Sequence, residues 1–124
     1  MPVQLEMGGY RRRNARLLLD ISRVWHEAIY RDTSNFGASI GGIFVYAAVV
    51  LGHTEGRYMT ATKISLFLDI PRTTVLRRLG ELIELDWVEK KNSLYYVSPT
   101  RKDLSSAHAL TEKILEDRLR RHRP

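Results

Sequence analysis

The chain has 124 residues with 20 Lys and Arg against 14 Asp and Glu, a net charge of +6, and 44% of it is hydrophobic. That is the size of one domain with a real core, and the basic balance points toward an acidic partner or surface. The lack of cysteine excludes disulfides and thiolate metal sites and suits a reducing cytoplasm. No run approaches the roughly 18 apolar residues that span a bilayer, and Met1 to Gly9, with Glu6 and no basic start, does not read as a secretory signal, so a cytoplasmic protein without a membrane partner is expected.

Residues 1–13 read as a flexible arm, with the basic cluster Arg11-Arg12-Arg13 at its end. A first helix is predicted over residues 14–31, with Leu18, Ile21, Trp25 and Ile29 on one stripe and Leu17, Val24 and Ala28 broadening it. Asp32 to Asn35 breaks it. From Ile40 to Leu51 almost every residue is apolar, which predicts a central helix covered on most sides, with Gly41-Gly42 allowing close packing. Gly52 and Gly56 end it, so residues 14–56 form an N-terminal helical region serving the core and a dimer interface.

Residues 57–98 hold the most informative pattern. Thr60 can cap a short helix through its hydroxyl, and Ile64, Phe67 and Leu68 give that helix an apolar face. Asp69-Ile70-Pro71 is a tight turn, and Pro71 suits the start of the next helix. In that second helix Val75, Leu79, Leu82 and Ile83 recur at helical spacing and face the core, while Arg72, Thr73, Arg77 and Glu81 fall largely on the other side. Hydroxyls and guanidinium groups at the exposed N-terminal end of a helix suit a major groove, where Arg pairs bidentately with guanine and Thr meets phosphate or a thymine methyl. The bland alternative is a solvated helix that touches nothing.

A hairpin follows, with Trp87-Val88-Glu89 as one strand, Lys90-Lys91-Asn92-Ser93 as the turn region and Leu94 to Val97 as the return. Lys90 and Lys91 at its tip suit phosphate contact. Helix, turn, helix and hairpin in this order make the expected fold mainly α with a small β-hairpin, a winged helix-turn-helix with flanking dimerisation helices.

The run from Met59 to Ile64, then Leu68 to Leu79, Leu82 and Trp87-Val88-Glu89-Lys90, resembles the DNA-binding core of MarR-type regulators over about a third of the chain. Members of that family are bacterial homodimers whose recognition helices enter successive major grooves, so the resemblance implies that Thr73, Thr74, Arg77 and Arg78 lie at or near DNA. It also implies that flanking helices build a dimer interface. Two departures stand out: Asp86 occupies the position where the family usually has Gly, and the hairpin is shorter and lacks the family's Asp-x-Arg element.

Residues 99–124 are predicted as a C-terminal dimerisation helix starting near Ser98-Pro99-Thr100, with Leu104, Ala107, Leu110, Ile114, Leu115 and Leu119 on its apolar stripe and Arg118, Arg120, Arg121 and Arg123 at its end. The alternative is that this helix folds back onto the first helix of its own chain. His26, His53, His108 and His122 are scattered without ligand spacing, and no Gly-rich phosphate loop follows a strand, so no metal, cofactor or enzymatic activity is expected. Trp25, Tyr30, Phe36, Phe44 and Tyr46 are candidates to line a small-molecule effector cavity. The expected function is sequence-specific binding of double-stranded DNA by a homodimeric transcriptional regulator, through Arg72, Thr73, Thr74, Arg77, Arg78, Lys90 and Lys91. The competing expectation is a winged-helix module that binds another protein and leaves its arginines as solubilising charges.

Overall fold

A computed structural model describes residues 2–31, 36–99 and 104–121. Among them are five helices and one antiparallel hairpin: α1 (Pro2–Ile29), α2 (Phe36–Thr54), α3 (Ala61–Leu68), α4 (Arg72–Glu84), β1 (Val88–Lys91), β2 (Leu94–Val97) and α5 (Ser105–Arg121). The chain divides into two compact units, residues 1–28 with 104–124 and residues 29–103. This division differs from the expected one. α2 belongs with α3, α4 and the hairpin, because its apolar surface is what those elements pack on.

In the first unit, α1 reaches back to Pro2, so residues 2–13 are helical and are not the expected arm. Gly8 and Gly9 do not interrupt it, because Gln4, Leu5, Glu6, Met7 and the arginines after them are good helix formers. α5 packs on α1 of the same chain: Trp25 Nε1 donates to Thr111 Oγ1 at 3.2 Å, the Trp25 ring meets His108 edge-on at 5.3 Å, and Arg118 is ion-paired with Asp20. The helix begins at Ser105, later than the Ser98-Pro99-Thr100 start expected, and residues 100–103 lie outside the described set. Leu18, Leu19, Leu110 and Leu119 are about half exposed or more, at 60%, 48%, 50% and 65%. The apolar stripes of α1 and α5 therefore extend beyond the surface they bury.

The second unit is built on α2. Val45, Tyr46, Ala48 and Val49 are buried, and the window Gly37–Thr54 is long and apolar enough by length and composition to cross a membrane, a feature the residue-by-residue reading did not register because Gly, Ser and His interrupt the run. Here it serves as the core helix against α3, α4 and β2. Phe44 and Leu51, seven residues apart on one side of it, remain 46% and 42% exposed. The expected coverage on most sides is thus incomplete.

α3 and α4 follow the local rules legible in the sequence. Thr60 Oγ1 accepts from the Lys63 N–H at 3.1 Å and caps α3, whose last turn closes on Asp69 in the left-handed region at φ 55°. Ala61 and Ile64 are buried, whereas Phe67, expected on the buried stripe, is 58% exposed beside Leu66 at 79%. Eight residues give α3 barely two turns, enough to bury one short edge only. Pro71 occupies the cap and its carbonyl accepts the Val75 N–H at 3.0 Å. Val75, Leu79 and Leu82 are fully buried. Ile83 is not, at 37% exposure, because it falls at the margin of that stripe.

The hairpin pairs Val88 with Val97 and Lys91 with Leu94, leaving a two-residue loop, Asn92-Ser93, with φ of 51° and 73°. Positive φ at both loop residues is the signature of the type I′ turn that matches strand twist. Lys90 and Lys91 therefore lie on β1 and not in the turn, as the sequence suggested. Asp86 has φ 65°, so it holds without strain relief the backbone conformation that Gly would adopt freely at that position. Contacts that hold the hairpin to the rest of the unit include the Tyr46 and Trp87 rings, which meet edge-on at 5.7 Å, the Val97 N–H, which donates to His53 Nδ1 at 3.0 Å, and the Tyr95 N–H, which donates to the Met59 carbonyl at 3.1 Å just before α3.

Gly42 permits a close approach in this unit. A Cβ there would lie 1.7 Å from the Tyr30 hydroxyl oxygen and 2.6 Å from its ring carbon, and Tyr30 is only 3% exposed. Gly42→Ala should therefore lower the unfolding free energy by about 1–3 kcal/mol. Gly80→Ala, on α4 with nothing within 4 Å, should raise it by roughly 0.5–1 kcal/mol through chain entropy. Urea titration of both variants tests the pair, and equal effects would contradict the packing described.

Burial pushes the phenols of Tyr30 and Tyr46 up from 10.0 to about 12, with Glu81 adding to the rise at Tyr30 and Arg78 opposing it. A folded-state value above the unfolded one means the folded protein holds the proton longer, so this stabilisation is complete below pH 10 and is lost as pH rises toward 12. Stability measured across that window should fall less steeply in a Tyr30→Phe/Tyr46→Phe variant than in the wild type.

Candidate nucleic-acid interface

Helix periodicity divides the surface of α4 into an outer face and two flanks. With Val75, Leu79 and Leu82 turned into the core, Thr73, Arg77, Gly80 and Glu84 project outward, Arg72 and Leu76 lean to one side, and Thr74, Arg78 and Glu81 lean to the other. Thr73, Arg72 and Arg77 are exposed and Thr74 is half-buried. Neither Arg72 nor Arg77 has a carboxylate partner among the described residues.

Arg78 behaves differently. Its Nη1 lies 3.2 Å from both carboxylate oxygens of Glu81, its side chain is 18% exposed, and its Nε is buried 3.5 Å from where a Cβ on Gly41 would stand. The Gly41 position on α2 is small enough to let the guanidinium lie against the helix. Arg78 thus belongs to the contact between α2 and α4, close to the Tyr30 hydroxyl that its charge influences.

The two hairpin lysines also separate. Adjacent residues on a strand point to opposite faces. Lys91 pairs with Glu89 at 3.4 Å and stands over the Tyr96 ring, part of an aromatic group with His53 and Tyr58. Lys90 points the other way, over the Tyr95 ring at 6.0 Å, and lines a cleft shared with α3 and α4.

That cleft has a volume of about 300 Å³ and is walled by Thr60, Ala61 and Thr62 at the start of α3, Arg72 and Leu76 on α4, and Lys90, Ser93 and Tyr95 on the hairpin. Arg72 is fixed at its edge, because its Nε donates to Thr62 Oγ1 at 3.1 Å. The sequence marked Arg72 and Lys90 but not Thr62, Ser93 or Tyr95, and it read Thr60 only as a cap. A bond between residues ten apart across a turn leaves no periodic trace that would have revealed Thr62.

The chain matches no protein-family model, no curated protein and no solved structure. The resemblance to MarR-type regulators accordingly stands on the motif residues alone. Four of the five aromatic residues expected around an effector cavity have described side chains. Trp25 belongs to the first unit, Tyr30 and Tyr46 are buried in the second, Phe44 is exposed, and the Phe36 side chain lies outside the described set. No group of three His, Cys, Asp or Glu gathers at metal-binding distance among the described residues.

The contrast between neighbouring arginines is testable without any ligand. Arg78→Ala should lower the unfolding free energy by about 1–2 kcal/mol, since it removes a part-buried charge-assisted pair and the stem packed on α2. Arg77→Ala should change it by less than about 0.5 kcal/mol. Chemical denaturation of the two variants decides, and a larger loss for Arg77 would reverse their roles.

Proposed function

We propose that this chain is a winged helix-turn-helix protein that binds double-stranded DNA, with α4 as the helix that enters the major groove and the hairpin as a short wing. The observation that carries the reading is the cationic surface formed by the outer and hairpin-side residues of α4 together with the cleft beside it. Arg72, Thr73 and Arg77 present two guanidinium groups and a hydroxyl from one helix end, and Lys90 stands across the cleft from them. Exposed Arg on a helix that projects from a hairpin-braced core suits base-edge readout, and Lys beside it suits phosphate. Arg78 and Lys91, both engaged within the protein, take supporting places in this reading, and Thr74 sits at the margin of the contact.

The reading extends to a MarR-type transcriptional regulator acting as a cytoplasmic homodimer. Its support is the motif resemblance over α3, α4 and β1 and the surplus of exposed leucine on α1 and α5, which a second copy would cover. A two-fold protein also fits paired half-sites on DNA. A second reading, a module that docks another protein, is favoured by Leu66 and Phe67, which are 79% and 58% exposed side by side on α3.

Fluorescence anisotropy of labelled random duplex over a salt series separates the two. DNA binding with Arg72 and Lys90 on phosphates should weaken with salt at a slope of log affinity against log salt of about −2 per subunit, near 0.9 for each phosphate neutralised. Arg77→Ala should in addition cost about 1–3 kcal/mol on a selected site and relax preference at one base position. A chain that binds no duplex at low salt would leave the protein-docking reading in its place.

A further inference from the structure

We propose that the cleft between α3, α4 and the hairpin is a binding site for a single phosphate group, held by Arg72, Lys90 and the hydroxyls of Thr60, Thr62 and Ser93. In its backbone-phosphate form the inference rests on the DNA reading above, and it adds three residues and one defined subsite to it.

The lining is what distinguishes this cleft from an ordinary surface depression. Two cations converge on it from different elements, and no carboxylate lines it among the described residues. Each cation is also pre-set. The Nε bond to Thr62 Oγ1 fixes the Arg72 guanidinium plane, leaving its terminal nitrogens as the edge offered to a ligand. Lys90 is directed toward the cleft by the strand register that pairs it with Tyr95, whose ring its ammonium overlies. A pre-oriented cation loses less rotamer freedom on binding an anion than a free one.

The hydroxyls complete the set. Thr60 Oγ1 already accepts from the Lys63 N–H, so its own proton remains to be donated. Ser93 is carried by the two-residue hairpin loop at φ 73°. Guanidinium, ammonium and hydroxyl donors arriving from three elements suit a tetrahedral anion with several acceptor oxygens better than a planar carboxylate. Ordinary small-molecule pockets are mostly apolar, whereas five of the eight residues that line this cleft, Thr60, Thr62, Arg72, Lys90 and Ser93, are polar or charged. The phosphate can come from the DNA backbone or from a free phosphomonoester, and both present the same chemistry to these donors.

Amide NMR of the full chain tests the site directly. Inorganic phosphate is titrated at constant ionic strength against chloride. The Thr62 and Ser93 resonances should shift saturably with phosphate and not with chloride, and the response should vanish in Arg72→Met/Lys90→Met. Thr62→Val keeps both charges but frees the guanidinium and removes one hydroxyl donor, and it should weaken phosphate binding about three- to tenfold. No saturable shift, or a shift unchanged in the double variant, overturns the inference. A short duplex is then added. Displacement of phosphate from the same amides identifies the backbone phosphodiester as the ligand. Phosphate binding with no response to duplex keeps the site, assigns it to a free phosphomonoester and removes the DNA reading. Duplex binding that leaves these amides unmoved, in a protein that ignores inorganic phosphate, removes the site and keeps the DNA reading.

Discussion

The contact of α2 with α4 fixes the direction in which every charged group of the candidate interface points. The two helices pack on each other, with the buried stripe Val75, Leu79 and Leu82 on α4 turned into the core, Gly41 on α2 close to Arg78 on α4, and Tyr30 against Gly42 nearby. A helix with one stripe clamped in this way has its rotation about its own axis set to within a side chain's width. Arg77 must then face outward and Arg78 inward, although the two are neighbours in sequence. The hairpin is bound to the same core through Trp87 on Tyr46 and the Val97 N–H on His53, so Lys90 is carried to the side of α4 where Arg72 lies. Close packing of this kind transmits position with little slack.

Much of the fold was legible from the residues, for reasons that are local. Thr60 as a cap, the turn at Asp69 to Pro71, the stripe Val75, Leu79 and Leu82, and the return strand Leu94 to Val97 each follow from a rule that acts within a few residues. The errors arose where a local rule was ambiguous or distant partners decided. Residues 1–13 read as an arm but are helical from Pro2 onward, and Phe67 looked like core although α3 is too short to bury it. Whether α5 packs on α1 of its own chain could not be read from either stripe, because the Trp25 to Thr111 and Asp20 to Arg118 contacts join opposite ends of the sequence.

The candidate site was legible as a composition but not as an arrangement. All seven residues singled out lie on α4 and β1, yet period-3.6 and period-2 geometry sorts them into three groups. Arg72, Thr73, Arg77 and Lys90 remain open, Thr74 stands at the margin, and Arg78 and Lys91 are paired with Glu81 and Glu89. The net charge of +6 therefore overstates what any one surface offers, since part of it is neutralised in place. What is concentrated is the pairing of Arg72 and Lys90 around a cleft with no carboxylate among its described lining residues, and the proposed DNA reading rests on this local imbalance more than on the net charge.

The central claim is that the outer face of α4 is what meets DNA. Site-specific photocrosslinking tests it most directly, with a photoreactive phenylalanine analogue placed at Thr73 on that face and, separately, at exposed Phe44 on α2, each irradiated with labelled duplex. The account predicts covalent transfer of label from position 73 and none above background from position 44. Equal transfer from both, or transfer from position 44 alone, would contradict it.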